Sequence, residues 1–158
     1  MVRLLKCMTA LFLVVALSSC QGPESKEEQI AQYITEAAAA FHRKDAGDLK
    51  KLIAEEYSDR RNFTRQDIVR ILSGYFLRNQ EGNVLTSLES LQFEEEDSVA
   101  LISIYVAVSR VPLEQDDLDL LGATFYKLEG KLVQNKKWLL QWSELHHATA
   151  DDFISSLN

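Results

Sequence analysis

Between Phe76 and Val84 the spacing of the apolar residues changes from three-and-four to two, and no single regular element satisfies both periods. Ahead of the change, Ile30, Tyr33, Ile34, Ala37, Ala38 and Phe41 recur at helical spacing, so residues 26–44 are expected to form an amphipathic helix that ends at Asp45-Ala46-Gly47. Asp48 is expected to cap a second helix, with Leu49, Leu52 and Ile53 inward, running to about Tyr57. Thr64 followed by Asp67 reads as a capping box, and Ile68, Ile71, Leu72, Tyr75 and Phe76 make the buried stripe of a third helix. Beyond the turn Gln80-Glu81-Gly82-Asn83, strands are expected at 84–93, 99–111, 123–133 and 137–147. The connections are the acidic turn Glu94–Asp97, a loop from Pro112 to Gly122 and the turn Gln134-Asn135-Lys136. In the second strand Ala100, Ile102, Ile104, Val106 and Val108 share one wholly apolar face. Three helices followed by a curved antiparallel sheet is an α+β order.

The first 27 residues have a different character. Arg3 and Lys6 precede the apolar run Met8–Leu17, which has the length of a secretory signal core and about half that of a bilayer-spanning helix. Leu17-Ser18-Ser19-Cys20 follows, and this order of charge, apolar run, small residues and cysteine resembles the lipobox of bacterial lipoprotein precursors. The resemblance implies that residues 1–19 are a cleaved signal and that Cys20 is lipidated on sulfur and on its new amino group. It also implies that residues 20–27 are a tether, of roughly 15 Å mean reach as coil, to a single domain over 28–158. In a Gram-negative host, Gln21 rather than Asp directly after the lipidated position implies the outer membrane, on its periplasmic face.

Cysteine and charge counts agree with that expectation. Cys7 lies inside the signal, so a mature chain keeps Cys20 alone and has no internal disulfide to stabilise it. Removing Arg3 and Lys6 from the 17 basic residues leaves 15 against 24 acidic ones, a formal charge of −9. Such a surface is repelled by phosphate backbones and by anionic lipid, which argues against nucleic acid as a partner and leaves acyl chains to hold the protein at a membrane.

The segments DAGDLKKLIAEEYSD (45–59), TRQDIVRIL (64–72) and the closing hairpin YKLEGKLVQNKKWLLQWSELHHA (126–148), in this element order, resemble the nuclear transport factor 2-like, or SnoaL-like, superfamily. The resemblance implies a cone: a strongly bent sheet wrapped around helices, with a pocket at its open end. Ketosteroid isomerase, a member, carries its oxyanion-hole tyrosine eight residues ahead of the Asp of the Gly-Asp motif, which here is Ala40. Its general base lies about sixteen residues beyond that Asp, where this chain has Thr64. Neither role is filled. No dehydratase or epoxide-hydrolase residue set can be assigned either.

The remaining polar candidates are Tyr57 and Asp59, which leave the second helix where the pocket mouth of the family lies; a buried carboxyl there would act as a base, whereas the structural alternative has Tyr57 in the core and Asp59 in a turn. His146 and His147 are adjacent on a strand and point to opposite faces, so a metal would need His42 or distant acids, and no metal or cofactor is expected. The acidic loop Glu114–Asp119 lacks calcium-loop spacing, with Leu121 and Leu128 where ligands would fall. Trp138, Leu140 and Trp142 are expected on one strand face. The pocket wall is expected from Ile34, Phe41, Tyr57, Phe76, Ile104, Val106, Tyr126 and Trp142, a lining suited to an apolar small molecule. The expected function is therefore non-catalytic binding of such a molecule or of an envelope protein. The alternatives are an isomerase, dehydratase or hydrolase using Asp59 and Tyr57, and a homodimer formed through the convex sheet face.

Overall fold

A computed structural model describes residues 24–79, 82–110 and 122–157. The expected signal, Cys20, the first part of the tether and the acidic loop Glu114–Asp119 lie outside the described residues.

Helix α1 spans Lys26–His42, and Ser25 starts it with a capping box: its hydroxyl accepts from the Glu28 amide at 3.1 Å while the Glu28 carboxylate accepts from the Ser25 amide at 2.8 Å. Helix α2 is short, Ala46–Lys51, and its cap is Asp45 rather than Asp48. The Asp45 carboxylate accepts from the Asp48 amide at 2.9 Å, which consumes Asp48 as a residue of the first turn. This helix also stops well before Tyr57. Past Leu52 the backbone pairs with the sheet instead, the Leu140 amide donating to the Leu52 carbonyl and the Ala54 amide to the Leu140 carbonyl, both at 2.9 Å. Helix α3, Arg65–Arg78, begins at the expected Thr64 and Asp67.

The four strands β1 (Asn83–Glu94), β2 (Val99–Ser109), β3 (Thr124–Asn135) and β4 (Lys137–Ala148) form one antiparallel meander in the order of the sequence. A fourth helix, α4 (Ala150–Ser155), follows; sequence reasoning missed it, although Thr149 and Asp152 repeat the capping spacing of Thr64 and Asp67. Among the described residues no helix is long and apolar enough to cross a membrane.

The core lies between α1 and the apolar face of β2. Ile30 and Ile34 pack against Ala100, Ile102, Ile104, Leu132 and Trp138. Gly130 sits opposite Ile102, where an added Cβ would meet Leu140 at 3.2 Å and Ile102 at 3.3 Å, so the missing side chain is what lets this layer close. A second cluster, Ala40, Leu49 and Phe76, joins the three N-terminal helices. A third, Ala107, Phe125 and Phe153, seats α4 on the other face of the sheet.

Two bulges redirect side chains. In β1 the extra residue is Glu89, between the pairs Leu88↔Ile104 and Ser90↔Ser103. In β4 it is Gln141, between Leu140↔Leu132 and Trp142↔Lys131. Trp142 thereby joins the row of Leu101 and Lys131, which alternates away from the core-facing Ala100 and Ile102. The expectation of one face for Trp138, Leu140 and Trp142 is corrected: the first two face the core and Trp142 faces out.

Tyr33 ties α1 to the exit of α2, its hydroxyl donating to the Leu52 carbonyl at 3.1 Å, and burial pushes its pKa far above the ordinary tyrosine value. A raised folded-state pKa contributes stability that is complete below the unfolded value of about 10 and is lost as pH climbs through the folded one. Denaturant midpoints measured against pH are expected to fall above pH ~10 in the wild type and to fall less steeply in Tyr33→Phe. In the same assay Ile30→Ala is expected to cost about 2–5 kcal/mol, as a fully buried truncation. Leu77→Ala, at a side chain 83% exposed, should stay within ~0.5 kcal/mol.

Candidate functional site

The eight residues expected to line one wall fall into separate environments. Ile34, Ile104 and Val106 belong to the core beneath α1, and Phe41 and Phe76 to the helix cluster, where their rings meet edge to face at 5.2 Å. Tyr57 is buried at 3% exposure, its hydroxyl hydrogen-bonded to the Ser143 hydroxyl at 2.9 Å; burial raises its pKa, and the charge of Asp59 adds to the rise. The Asp59 carboxylate closes a turn by accepting from the amides of Arg61 at 2.8 Å and Phe63 at 2.9 Å. Both groups thus have structural partners. Ala40 is packed in the helix cluster, and Thr64 is spent on its cap.

The tyrosines separate into two kinds. Of the five in the chain, Tyr33 donates to Leu52, Tyr57 pairs with Ser143, and Tyr105 donates to Glu89 at 3.3 Å. Among the described residues the hydroxyls of Tyr75 and Tyr126 have no hydrogen-bond partner, and these two face one another electrostatically. The Tyr75 phenol is held above its ordinary pKa by burial and then by the neighbouring Tyr126, with Arg110 pulling the other way.

Strand pairing explains how they meet. Thr86, Val106, Tyr126 and His147 are successive cross-strand partners over all four strands, forming one row on the side of the sheet that faces the helices. The Tyr126 and His147 rings lie 5.3 Å apart. In the helix cluster α3 brings Tyr75 and Phe76 and α1 brings Phe41, with ring centroids 5.2–6.0 Å apart. Tyr126 and Arg110 both act electrostatically on the Tyr75 phenol, and His147 stacks beside Tyr126, which links the aromatic cluster to the end of this row. Such a group can hydrogen-bond or charge-pair an oxygen-bearing ligand end while the rings take its apolar body. Sequence reasoning read Tyr75 only as helix stripe and missed His147 here; unbroken pairing from the Gln134–Lys136 hairpin would set His146 opposite Tyr126, and only the bulge at Gln141 brings His147 there.

A cavity of about 290 Å³ opens at the β1 end of this row, between α1, the β1 edge and α4, at Thr35, Ala38, Val84, Thr86 and Leu157, and another of about 240 Å³ lies apart from it. The second is lined by Glu36, Arg43, Asp48, Lys51 and Lys137, where Asp48 is ion-paired with both Arg43 and Lys51 and its pKa is lowered by them.

The outer sheet face is polar in its middle. Glu89, turned outward by its bulge, accepts from Lys127 at 2.6 Å and from Ser103 at 2.7 Å; the lysine, then the serine, hold its pKa below the usual carboxylate range. His146 and His147 do point to opposite faces. His146 lies outside beside Glu129 and Glu144, which come from the neighbouring strand and from two residues away rather than from distant parts of the chain. At one end this face is covered by α4, where Ser87 donates to the Ser156 carbonyl at 2.8 Å.

No family model matches the sequence, and no curated protein matches it. Solved structures do. A protein of Novosphingobium aromaticivorans, provisionally named a scytalone dehydratase, aligns at 13% identity and TM-score 0.64 over 78% of this chain and 85% of that one. A protein of Streptomyces avermitilis, provisionally named a dehydratase of the NTF2-like family, aligns at 13% identity and TM-score 0.58 over 81% and 99%. An NTF2-like protein of unknown function from Shewanella oneidensis aligns at 10% identity and TM-score 0.58 over 77% and 98%. The chain therefore has the nuclear transport factor 2-like fold, an α+β arrangement of helices and a curved four-stranded antiparallel sheet. At such identities the likeness carries the fold alone.

Proposed function

We propose that this chain is an exported lipoprotein, anchored through Cys20 on the periplasmic face of an outer membrane, whose domain binds a small molecule without transforming it. The ligand has an apolar body and a hydrogen-bonding or acidic end, taken up at Tyr75 and Tyr126. The observation that carries this reading is the contrast among the tyrosines: three hydroxyls are consumed by the fold, and the two left open converge beside Arg110 and an aromatic floor. Its non-catalytic part is supported by the expected acid–base candidates, since Tyr57 and Asp59 are engaged by Ser143 and by a turn. The anchor rests on the charge, apolar run and Leu17-Ser18-Ser19-Cys20 of the sequence.

An enzymatic alternative draws on His147 beside Tyr126, a base next to a phenol, and on the provisional names of two structural neighbours. In it the domain would be an isomerase, dehydratase or hydrolase of a hydrophobic substrate. Turnover of a hydroxylated aromatic substrate that disappears in His147→Ala would select it.

For the binding reading, titration with a long-chain fatty acid and with the alkane of equal length is expected to show saturable binding of the acid and much weaker binding of the alkane. Tyr75→Phe and Tyr126→Phe should each weaken the acid by roughly five- to tenfold, the loss of one hydrogen bond of about 1 kcal/mol. Equal affinities for acid and alkane, unaffected by either substitution, would reject it. For the anchor, mass spectrometry of the membrane-extracted protein is expected to find an amino-terminal Cys20 carrying acyl chains, with Cys20→Ser left at precursor size; an unmodified thiol there would remove the anchor.

A further inference from the structure

We propose that Glu129, Glu144 and His146 form a binding site for a divalent transition-metal ion, with Zn²⁺ the best match, on the outer face of the sheet. This site lies on the face opposite Tyr75 and Tyr126, and it stands whether or not the ligand reading above holds.

The geometry comes from strand pairing. Glu129 on β3 and Glu144 on β4 are direct cross-strand partners, and His146, two residues along β4, is on the same face. One ligand atom from each lies within 4.8 Å of the other two, and the His146 Nε2 is 3.7 Å from Glu129 Oε2 and 3.9 Å from Glu144 Oε2. Two atoms bound to one zinc at about 2.0–2.1 Å are at most about 4.2 Å apart, so an ion fits between the imidazole and either carboxylate with side-chain rotation alone.

Electrostatics point the same way. Two carboxylates directly opposite one another on adjacent strands repel, and a cation between them removes the conflict. Arg60 answers part of it, its Nε lying 3.1 Å from Glu144 Oε2. The cross-strand neighbour of His146, Lys127, is drawn away to Glu89. Among the described residues Glu129 has no lysine or arginine within ion-pair distance; its close basic neighbour is the imidazole of His146. That imidazole is the feature that separates this group from an acidic surface patch: neutral imidazole with carboxylates selects zinc-like ions over calcium or magnesium, which prefer oxygen alone. All three side chains reach solvent, so the ion keeps a coordination position open for water or for a donor from a partner.

The test is calorimetric titration of the full chain, freed of metal with chelator, with zinc chloride, magnesium chloride and calcium chloride. One zinc per chain is expected, with magnesium and calcium at least tenfold weaker. His146→Ala should weaken zinc at least tenfold, His42→Ala should leave it unchanged, and Arg60→Ala should strengthen it by freeing Glu144 Oε2. Zinc should also perturb the imidazole resonances of His146 and not those of His147, a readout that does not depend on any variant folding. No binding at millimolar zinc, binding indifferent to His146→Ala, weaker binding in Arg60→Ala, or resonance changes at His42 or His147 in place of His146 would each overturn the proposal.

Discussion

The structure depends on one hydrocarbon layer: the apolar face of β2 against the buried stripe of α1. Ile30 and Leu132 are fully enclosed there, and Ala100 presents no side chain beyond its methyl, so strand and helix approach closely. With no disulfide among the described residues, this burial is what offsets the conformational entropy of the chain. Gly130 belongs to the same layer although it contributes no atoms to it. Its missing Cβ is the space that Leu140 and Ile102 occupy, and any larger residue there must push one of them aside.

Periodicity made most of this architecture readable. The four strands begin and end within about two residues of where alternation places them, because each has one face turned to a core and one-residue slips would invert it. Three helices carry a hydroxyl-to-acid capping box; α1 and α3 begin near or at the expected positions, and α4 has the same signal at Thr149 and Asp152. What was not readable came from long-range backbone pairing and from bulges. The end of α2 is decided by hydrogen bonds to Leu140, a residue nearly ninety positions away, which no local propensity reports. Glu89 and Gln141 look like ordinary members of an alternating run, and only the pairing register shows each as an extra residue. Alternation alone therefore puts Trp142 on the core face and gives no link between Glu89 and Lys127.

The candidate site shows the same limit from another side. Phe41 and Phe76 were legible as apolar positions, and Tyr126 as a member of the inner row. The convergence of Tyr75, Tyr126, His147 and Arg110 depends on three separate strands ending beside one helix, which is a property of the sheet order. Asp59 and Tyr57 are polar residues near the expected mouth that have partners within the fold: the Asp59 carboxylate accepts from the Arg61 and Phe63 amides, and the Tyr57 hydroxyl pairs with Ser143 of β4. Residue type alone could not separate these from the tyrosines whose hydroxyls are left open.

The start of α1 lies beside two hairpin tips. Lys26 donates to the Asp97 carbonyl at 2.7 Å, and the Gln134 amide donates to the Ser98 carbonyl at 2.9 Å, so the helix start and both tips crowd one end of the molecule. The row through Val106 and Tyr126 is six residues further along β2 than Ala100, or roughly 20 Å at strand rise. Any handle joined ahead of Ser25, whether an affinity tag, a bead or a fatty acyl group, therefore leaves from the far pole. A particle held by that handle presents its aromatic rim to the bulk phase, open to molecules diffusing in water and turned away from the support that holds it.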